Sequence, residues 1–260
     1  MTMQAVTDMM GRCVTLKKSP QRIISLVPSQ TELLYDFGLK GQIVGQTVFC
    51  IHPESAFKTA TKVGGTKKVK YDVIDALQPD LIICNKEENT KEIVETLEAK
   101  YPVWVSDIKT LEDNNTMIQM LGELLSKIDE AALIVSEIKT AFNTLLPQPL
   151  QTCLYLIWKN PYIGVGTDTF IDALLPYAGF TNVLKDLTRY PELSNELITQ
   201  LNPHTVLLSS EPFPFAEKHI SELKALLPQA HIQLIDGEMF SWYGSRIRFA
   251  PGYFSKLYQG

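Results

Sequence analysis

Short runs of apolar residues alternate along the chain with longer segments in which apolar residues recur at helical spacing. This alternation is typical of an α/β protein whose strands are mainly parallel. The apolar runs predict strands at residues 22–27, 42–46, 80–84, 103–106, 153–158, 205–209 and 232–235. The amphipathic segments predict helices at residues 31–37, 71–77, 91–100, 112–125, 170–177, 195–201, 216–227 and 246–258. Residues 8–12 predict a hairpin turn.

One pattern occurs twice. In each copy the end of a helix is followed by a proline, which stops the helix, and then by a buried strand. The first copy runs from Ile74 through Pro79, and the second runs from Ile198 through Pro203. Because the copies lie nearly half the chain apart, the repeat favours two lobes of similar design. Such junctions recur in any α/β protein, so coincidence is the alternative.

Between the two halves, apolar residues keep helical spacing from Ser126 to Leu146, and Pro147 and Pro149 follow. A continuous helix of this length would join the halves as a stiff strut, and the segment lacks the composition of a flexible Gly/Ser linker. We therefore predict an N-terminal α/β lobe at residues 1–125, a linking helix at 126–147 and a C-terminal α/β lobe at 148–260.

The overall charge excludes one class of partner. The chain has 260 residues and a formal net charge of −5, from 24 basic and 29 acidic residues. Domains that bind nucleic acid usually have the opposite balance, with basic residues clustered on one face, so we expect no nucleic-acid partner. No run approaches the ~18 apolar residues of a membrane-spanning helix, so we expect no membrane insertion. The first residues lack the pattern of a secretory signal peptide, which leaves either a cytoplasmic protein or an export signal removed beforehand.

The four cysteines lie far apart and form no C-x-x-C pair, so a structural zinc site has no support. Cys84 and Cys153 lie inside apolar, strand-like runs and are predicted to be small core residues. The spacing leaves a disulfide open, but it fits a reduced compartment slightly better.

Polar and aromatic residues follow the predicted strands of the first half, at strand ends where open α/β sheets bind ligands. After the first strand, Pro28 and Ser29 lead into a helix that Ser29 or Thr31 can cap. The further candidates for ligand contact in this half are Phe49, His52, Lys67, Asn85 and Glu87. Each also has a purely structural interpretation, as part of a capped helix, a solvated loop or a charged helix start.

The second half is richer in aromatic residues near strand ends. The candidates there are Trp158, Tyr162, Tyr190, Trp242 and, beside the last of these, Arg246. Because loops run over the surface, these rings cannot all be core residues. Rings that converge on one cleft would form an apolar platform for a large, flat ligand. Lys67, Arg246 and Arg248 would give such a cleft a positive lining.

The spacing of the four histidines, the serines and the carboxylates shows no catalytic arrangement. The motifs of dinucleotide-binding, P-loop and α/β-hydrolase proteins are absent from the sequence. We therefore expect a protein that binds a ligand without catalysis, with no catalytic residue, no metal site and no cofactor of its own.

The stretch 22–32, with 39–45 after it, resembles the substrate-binding proteins of ABC importers for vitamin B12, haem and iron–siderophores, the group joined by a single helical backbone. Residues 63–66, residues 77–83 and the linking helix come in family order, and the resemblance spans nearly the whole chain. It implies two Rossmann-like α/β lobes joined by one long helix. It also implies a cleft between the lobes that holds cobalamin, haem or a ferric siderophore.

The resemblance carries over to individual positions. Phe49, Ile163 and Tyr190 stand at aromatic sites of the B12-binding members, whereas Asn85 stands where those members have Trp. Glu196 matches an acid that docks onto the permease. At the counterpart position in the N-terminal lobe this chain has Lys91, with Glu92 adjacent.

The resemblance further implies that the protein is a monomer whose partner is an ABC permease. It also implies that the protein is located in the periplasm or cell envelope. One alternative is a cytosolic carrier or sensor of the same ligand class. The other is a chelatase-like enzyme, in which His52 would face Glu87 or Glu88.

Overall fold

The computed structural model describes residues 3–17 and 19–259. They fall into two compact units. Of these residues, the first contains 3–17, 19–108, 112–137 and 243–246, and the second contains 109–111, 138–242 and 247–259. The fold is α/β with parallel sheets, as the sequence predicts.

The first unit contains an antiparallel hairpin and a four-stranded parallel sheet. The hairpin strands are β1 (Met3–Thr7) and β2 (Cys13–Lys17), which confirms the predicted turn at residues 8–12. The sheet has the order β4-β3-β5-β6 and consists of β3 (Ile23–Ser25), β4 (Ile43–Gln46), β5 (Leu81–Asn85) and β6 (Val103–Ser106). The helices of this part of the chain are α1 (Pro28–Asp36), α2 (Glu54–Thr59), α3 (Tyr71–Leu77), α4 (Lys91–Glu98) and α5 (Leu111–Leu124).

The second unit contains a mixed sheet in which β7, β11 and β12 are parallel neighbours. Its strands are β7 (Gln151–Trp158), β8 (Tyr162–Gly164), β9 (Phe180–Asn182), β10 (Glu192–Leu193), β11 (Thr205–Ser209) and β12 (His231–Ile235). Its helices are α7 (Phe170–Leu174), α8 (Asn195–Leu201), α9 (Glu217–Leu226), α10 (Glu238–Ser241) and α11 (Ala250–Gln259). Two 3-10 helices occupy Leu175–Ala178 and Gly244–Phe249.

Helix α6 (Ile128–Asn143) contains residues of both units. It is shorter than the predicted linking helix at both ends. At its start Ser126 has a φ of 56°, which lies outside the helical region, so the helix cannot include it. The domain boundaries drawn from the sequence stay a prediction.

Each predicted strand is present, within a few residues of its expected ends. The sequence analysis missed β8, β9 and β10, which have only two or three residues each, and the short helices α2 and α10. The helix predicted at 170–177 changes to a 3-10 helix at Leu175, beside Pro176. The helix predicted from 246 begins at Ala250, because the residues before it form a 3-10 helix. All four cysteines are free, and Cys84 and Cys153 are buried as predicted.

The repeated junction of the sequence has the same conformation in both units. Gln78 follows the last residue of α3 with a φ of 44°, and Asn202 follows the last residue of α8 with a φ of 42°, so the chain turns in the left-handed region after both helices. Pro79 and Pro203 then lead into β5 and β11, each of which lies between two parallel neighbours. The order β3-β5-β6 thus matches the order β7-β11-β12.

The two left-handed positions differ in their residue type, which gives an internal comparison. Glycine adopts this conformation without strain and asparagine tolerates it, whereas glutamine does not. Both side chains are exposed, so little packing is lost on truncation. We expect Gln78→Gly to raise the free energy of unfolding by about 1 kcal/mol. Asn202→Gly serves as the control and should change it by only a few tenths of that amount. Urea unfolding measures both, and equal effects of the two substitutions would contradict the interpretation.

Candidate functional site

In the first unit, the loops after the strands are tied to one another by buried amides. Asn89 donates hydrogen bonds to the backbone oxygens of Leu26, 3.3 Å away, and Thr66, 3.0 Å away. It also accepts one from the backbone N–H of Asn85 at 2.9 Å. One side chain therefore fixes the ends of β3 and β5 and the loop that contains Lys67.

The turn after β3 differs from the expectation in its capping. Pro28 occupies the first turn of α1, and the N-cap residue is Val27, whose side chain makes no capping bond. Thr31 instead donates its hydroxyl to the backbone oxygen of Val27 at 2.8 Å. The predicted cap by Ser29 or Thr31 is therefore wrong. Ser29 itself is buried.

Phe49 presents the most exposed ring of the first unit's strand-end loops, with 55% of its surface accessible. The ring lies against Gly65, where an added Cβ would come within 3.0 Å of a ring carbon. Beside it, Thr31 and Thr47 contact the Cys50 thiol with their hydroxyls, both at 3.1 Å. Burial raises the pKa of that thiol. His52 comes next at intermediate exposure, before a cis peptide bond to Pro53.

The side chain of Asn85 forms hydrogen bonds within the first unit. Its amide nitrogen donates to Ser106, at 3.0 Å to the hydroxyl and 3.3 Å to the backbone oxygen. Its oxygen accepts from the backbone N–H groups of Glu87 at 2.8 Å and Glu88 at 3.1 Å. With 2% exposure, this side chain shapes the loop from within. Lys67, in contrast, is exposed and donates its ammonium to the backbone oxygen of Glu87.

Arg246 is engaged in an ion pair of the first unit. Its guanidinium donates to both carboxylate oxygens of Glu32, at 2.7 and 2.8 Å, and each side chain is only 14% exposed. Nearby, the backbone N–H of Gly244 donates to Asn114 at 2.6 Å. Burial raises the pKa of Tyr243 well above its ordinary value. A contact between Arg246 and a ligand would have to form beside this pair or replace it.

In the second unit, Trp158 ends β7 with 40% of its surface exposed. Its ring meets Phe213 edge to face at 5.7 Å, and Phe213 meets Phe215 at 4.8 Å. Tyr162 packs against the apolar core below, and burial raises the pKa of its hydroxyl. The loop after β11 therefore supports one side of the Trp158 ring and leaves part of its surface to solvent.

Trp242 follows β12 and contacts the same loop through Glu211, but it is only 8% exposed. Its indole N–H donates to Glu211 at 2.9 Å, and the Ser241 hydroxyl donates to the same oxygen at 2.5 Å. Burial, followed by the charges of Glu238 and Asp236, raises the pKa of Glu211. Sequence analysis did not single out Glu211, although its position after a buried strand was the available signal.

Tyr190 lies on the loop before β10 and is 36% exposed. The guanidinium of Arg189 is 5.6 Å from the centre of its ring. Arg189 donates to the backbone oxygen of Asp168 at 2.7 Å, and Lys109 pairs with the Asp168 carboxylate at 2.7 Å. Trp158 and Trp242 thus both contact the loop after β11, at Phe213 and Glu211, whereas Tyr190 packs beside Arg189.

The two acids predicted to dock occupy the first turns of exposed helix ends. Glu92 lies in α4, which Thr90 caps, and Glu196 lies in α8, which Ser194 caps. Bonds from its own backbone N–H and from Ser194 lower the pKa of Glu196. The repeated junction, however, pairs α8 with α3, whose first turn contains Asp72. Asp72 stands two residues before Ile74 just as Glu196 stands two before Ile198, a match that the sequence contained and the analysis missed.

Over residues 3–17 and 19–259, no three His, Cys, Asp or Glu side chains group as ligands for a metal ion. Within the same ranges, no helix combines the length and apolar character needed to cross a membrane.

A family model described as "Periplasmic binding protein" matches residues 23–226. The chain belongs to this family. Among its relatives is a vitamin B12-binding protein of Vibrio campbellii, 29% identical over 198 residues, which cover 73% of this chain and 70% of that protein. Solved structures also share the fold of this chain, and two of them are compared with it. The periplasmic haem-binding protein BhuT has a TM-score of 0.79 at 21% identity, covering 93% of this chain and 98% of that one.

The second is described as an ABC-type Fe3+-hydroxamate transport system from Saccharomonospora viridis. It has a TM-score of 0.77 at 20% identity and covers 99% of both chains. At these identities the two structures establish a shared fold. The α/β architecture of this chain is therefore that of two-lobed periplasmic binding proteins.

The geometry of Arg246 generates a prediction about stability. Removing one partner of a largely buried ion pair leaves the other charge uncompensated. We expect Glu32→Gln and Arg246→Met each to lower the free energy of unfolding by about 2–4 kcal/mol. The double variant should lose less than the sum of the two. Urea unfolding of the four proteins measures the coupling.

The matched control is the exposed pair of Lys58 and Glu54, whose side chains are 68% and 78% accessible. Its coupling should be close to zero, because solvent screens exposed charges. Additive losses at Glu32 and Arg246 would mean that the two charges do not stabilise each other.

Proposed function

We propose that this protein is the substrate-binding component of an ABC-type importer and that it holds a metal chelate without changing it chemically. The ligand class is a corrinoid, a haem or a ferric siderophore. Membership of the periplasmic binding protein family supports this proposal, as do relatives named for vitamin B12, haem and Fe3+-hydroxamate. The single observation that carries it is the set of aromatic rings left partly exposed at a strand end or on loops: Phe49, Trp158 and Tyr190.

These rings suit a large ligand with apolar faces. An aromatic ring contributes a broad apolar surface at little cost in conformational entropy, and it stacks on a flat partner. Lys67 adds an exposed positive charge beside Phe49's loop, suited to an acidic group of the ligand. His52, Glu87, Ser29 and Pro28 are further proposed contacts of the first unit. Tyr162, Trp242 and Arg246 are more deeply packed and contribute chiefly by supporting the loops.

The metal ion belongs to the cargo, and we propose no resident cofactor and no catalysis. A chelate that arrives complete needs binding surface alone, and none of the proposed contacts requires a group that transfers a proton or forms a covalent bond. We propose that the protein works as a monomer in the periplasm or cell envelope, beside an ABC permease. The haem-binding protein whose fold this chain shares is periplasmic, which supports this location.

Ligand binding is tested with three probes: cyanocobalamin, haemin and a ferric hydroxamate siderophore. We expect one of them to quench tryptophan fluorescence with a dissociation constant below ~100 μM. Phe49→Ala and Trp158→Ala should each weaken that binding by about 5- to 30-fold, because each removes a large apolar contact.

Phe249→Ala is the matched control, because that phenylalanine is 53% exposed and lies outside the strand-end loops. It should leave the affinity unchanged. Failure of all three probes to bind, or equal losses at Phe49 and Phe249, would contradict the proposed ligand class or site.

We also propose that the permease is contacted by two equivalent acids, Asp72 and Glu196, at the matching positions of α3 and α8. In this proposal Asp72 takes the docking role that the sequence analysis gave to Glu92, because the helix of Glu92 is not part of the repeated junction. Charge reversal at a docking acid repels a basic partner surface while leaving the ligand loops intact. We expect Asp72→Lys and Glu196→Lys to keep ligand affinity but to reduce uptake through the cognate permease by tenfold or more. Glu92→Lys is the control, and uptake lost there and kept in Asp72→Lys would restore the original assignment.

A further inference from the structure

Glu211 joins two segments that come after neighbouring strands of the second unit. It lies on the loop after β11, and one of its carboxylate oxygens accepts two hydrogen bonds from the segment after β12. The donors are the Trp242 indole N–H at 2.9 Å and the Ser241 hydroxyl at 2.5 Å. Hydrogen bonds to a carboxylate are stronger than those between neutral groups, so this contact fixes the edge of the Trp242 ring.

The surroundings of Glu211 hold it in place. Its backbone N–H donates to the Ser209 hydroxyl at 3.3 Å, and Tyr155 donates to the same hydroxyl at 3.3 Å. Opposite, the backbone N–H of Gly237 donates to the Ser210 hydroxyl at 2.9 Å. A Cβ on Gly237 would lie 2.3 Å from the Ser209 hydroxyl oxygen and 2.7 Å from a side-chain carbon of Glu211. Only glycine allows the second segment to approach the carboxylate this closely.

We propose that Glu211 is a positioning residue for Trp242, and that proton uptake by its carboxyl changes how the indole is held. The carboxylate form gives the indole N–H a charged acceptor. The protonated form leaves a neutral acceptor and a weaker bond. This inference rests on the proposed function only where it concerns a ligand, because the proton site itself requires none.

The surroundings of Glu211 favour proton uptake. Burial disfavours its negative charge most strongly, and Glu238 and Asp236, on the segment after β12, repel it further. These effects outweigh the hydrogen bonds from Ser241 and Trp242, which favour the carboxylate, so the pKa of Glu211 is raised. The hydroxyl of Tyr155, on β7, also faces the Glu211 carboxyl group. Because the folded pKa exceeds the unfolded one, the contribution to stability is complete below the unfolded pKa. It is lost as the pH rises through the folded value.

Nuclear magnetic resonance of the indole N–H groups tests the proposal without a ligand. The chain has three tryptophans, Trp104, Trp158 and Trp242, so a proton–nitrogen spectrum shows three indole signals, assigned with Trp242→Phe. Between about pH 4 and about pH 8, we expect the Trp242 signal to shift with a midpoint above the ordinary value of a glutamic acid. A constant Trp242 signal over this range would overturn the proposal.

Three variants separate positioning from a merely structural role. Glu211→Gln keeps an acceptor but cannot titrate, so the Trp242 signal should persist and lose its pH dependence. Glu211→Ala removes the acceptor, so the indole proton should exchange faster with water. Glu238→Gln, the matched control, should keep the titration and lower its midpoint because one repelling charge is gone. A titration that persists in Glu211→Gln would overturn the assignment.

The same variants extend to the ligand. For whichever of the three probes binds, the pH dependence of its dissociation constant should contain a step at the Trp242 midpoint, absent in Glu211→Gln. Identical pH profiles in the two proteins would overturn the link to binding. If no probe binds, the proposed ligand class fails, and the spectroscopic result still decides the role of Glu211.

Discussion

The central strands β3, β5 and β11 are buried along their whole length, and each pairs with a parallel strand on both sides. Such strands have no solvent-facing side, so apolar residues dominate them and the chemistry of the protein is confined to the loops at their ends. Their last residues are the exception. Ser25, Asn85 and Ser209 end these three strands, and each bonds to the adjoining loop. The burial that stabilises the sheets therefore also determines where the loops begin and how they are anchored.

This anchoring divides the candidate residues into two kinds. Polar side chains such as Asn85 and Arg246 have their hydrogen-bonding groups taken up by backbone amides or by Glu32. They hold the loops, because a buried polar group without a partner would cost about 1–3 kcal/mol. Aromatic side chains need no hydrogen-bond partner over most of their surface. Phe49, in the loop after β4, and Trp158, at the end of β7, can therefore remain partly exposed.

The sequence predicted the regular elements well because their signal is local. The helices at Tyr71–Leu77 and Asn195–Leu201 have the predicted ends, since a left-handed residue and a proline come directly after each of them. Strands β8, β9 and β10 gave no signal, because two or three residues are too few to show a periodicity. Their pairing is decided by the rest of the sheet.

The roles of individual side chains were harder to predict than their positions. Arg246 was correctly placed after the last strand, but its partner Glu32 lies more than two hundred residues earlier. Glu211 went unnoticed because its significance depends on Trp242, whose approach requires a glycine at position 237. Contacts between residues far apart in sequence leave no local pattern. A resemblance to a family indicates which positions could be functional. It does not indicate which side chains these residues contact in this protein.

The way the rings are supported bears on how tightly a ligand can be held. Phe49 rests on Gly65, and Trp158 rests on Phe213, so each ring is packed on one side before any ligand arrives. A side chain that is already ordered loses little rotamer freedom on binding, and more of the contact energy remains as affinity. A flexible lysine in the same place would lose more. The fold therefore orders these apolar faces before any ligand arrives, whereas the charge of Lys67 is on an exposed side chain that donates to the backbone oxygen of Glu87.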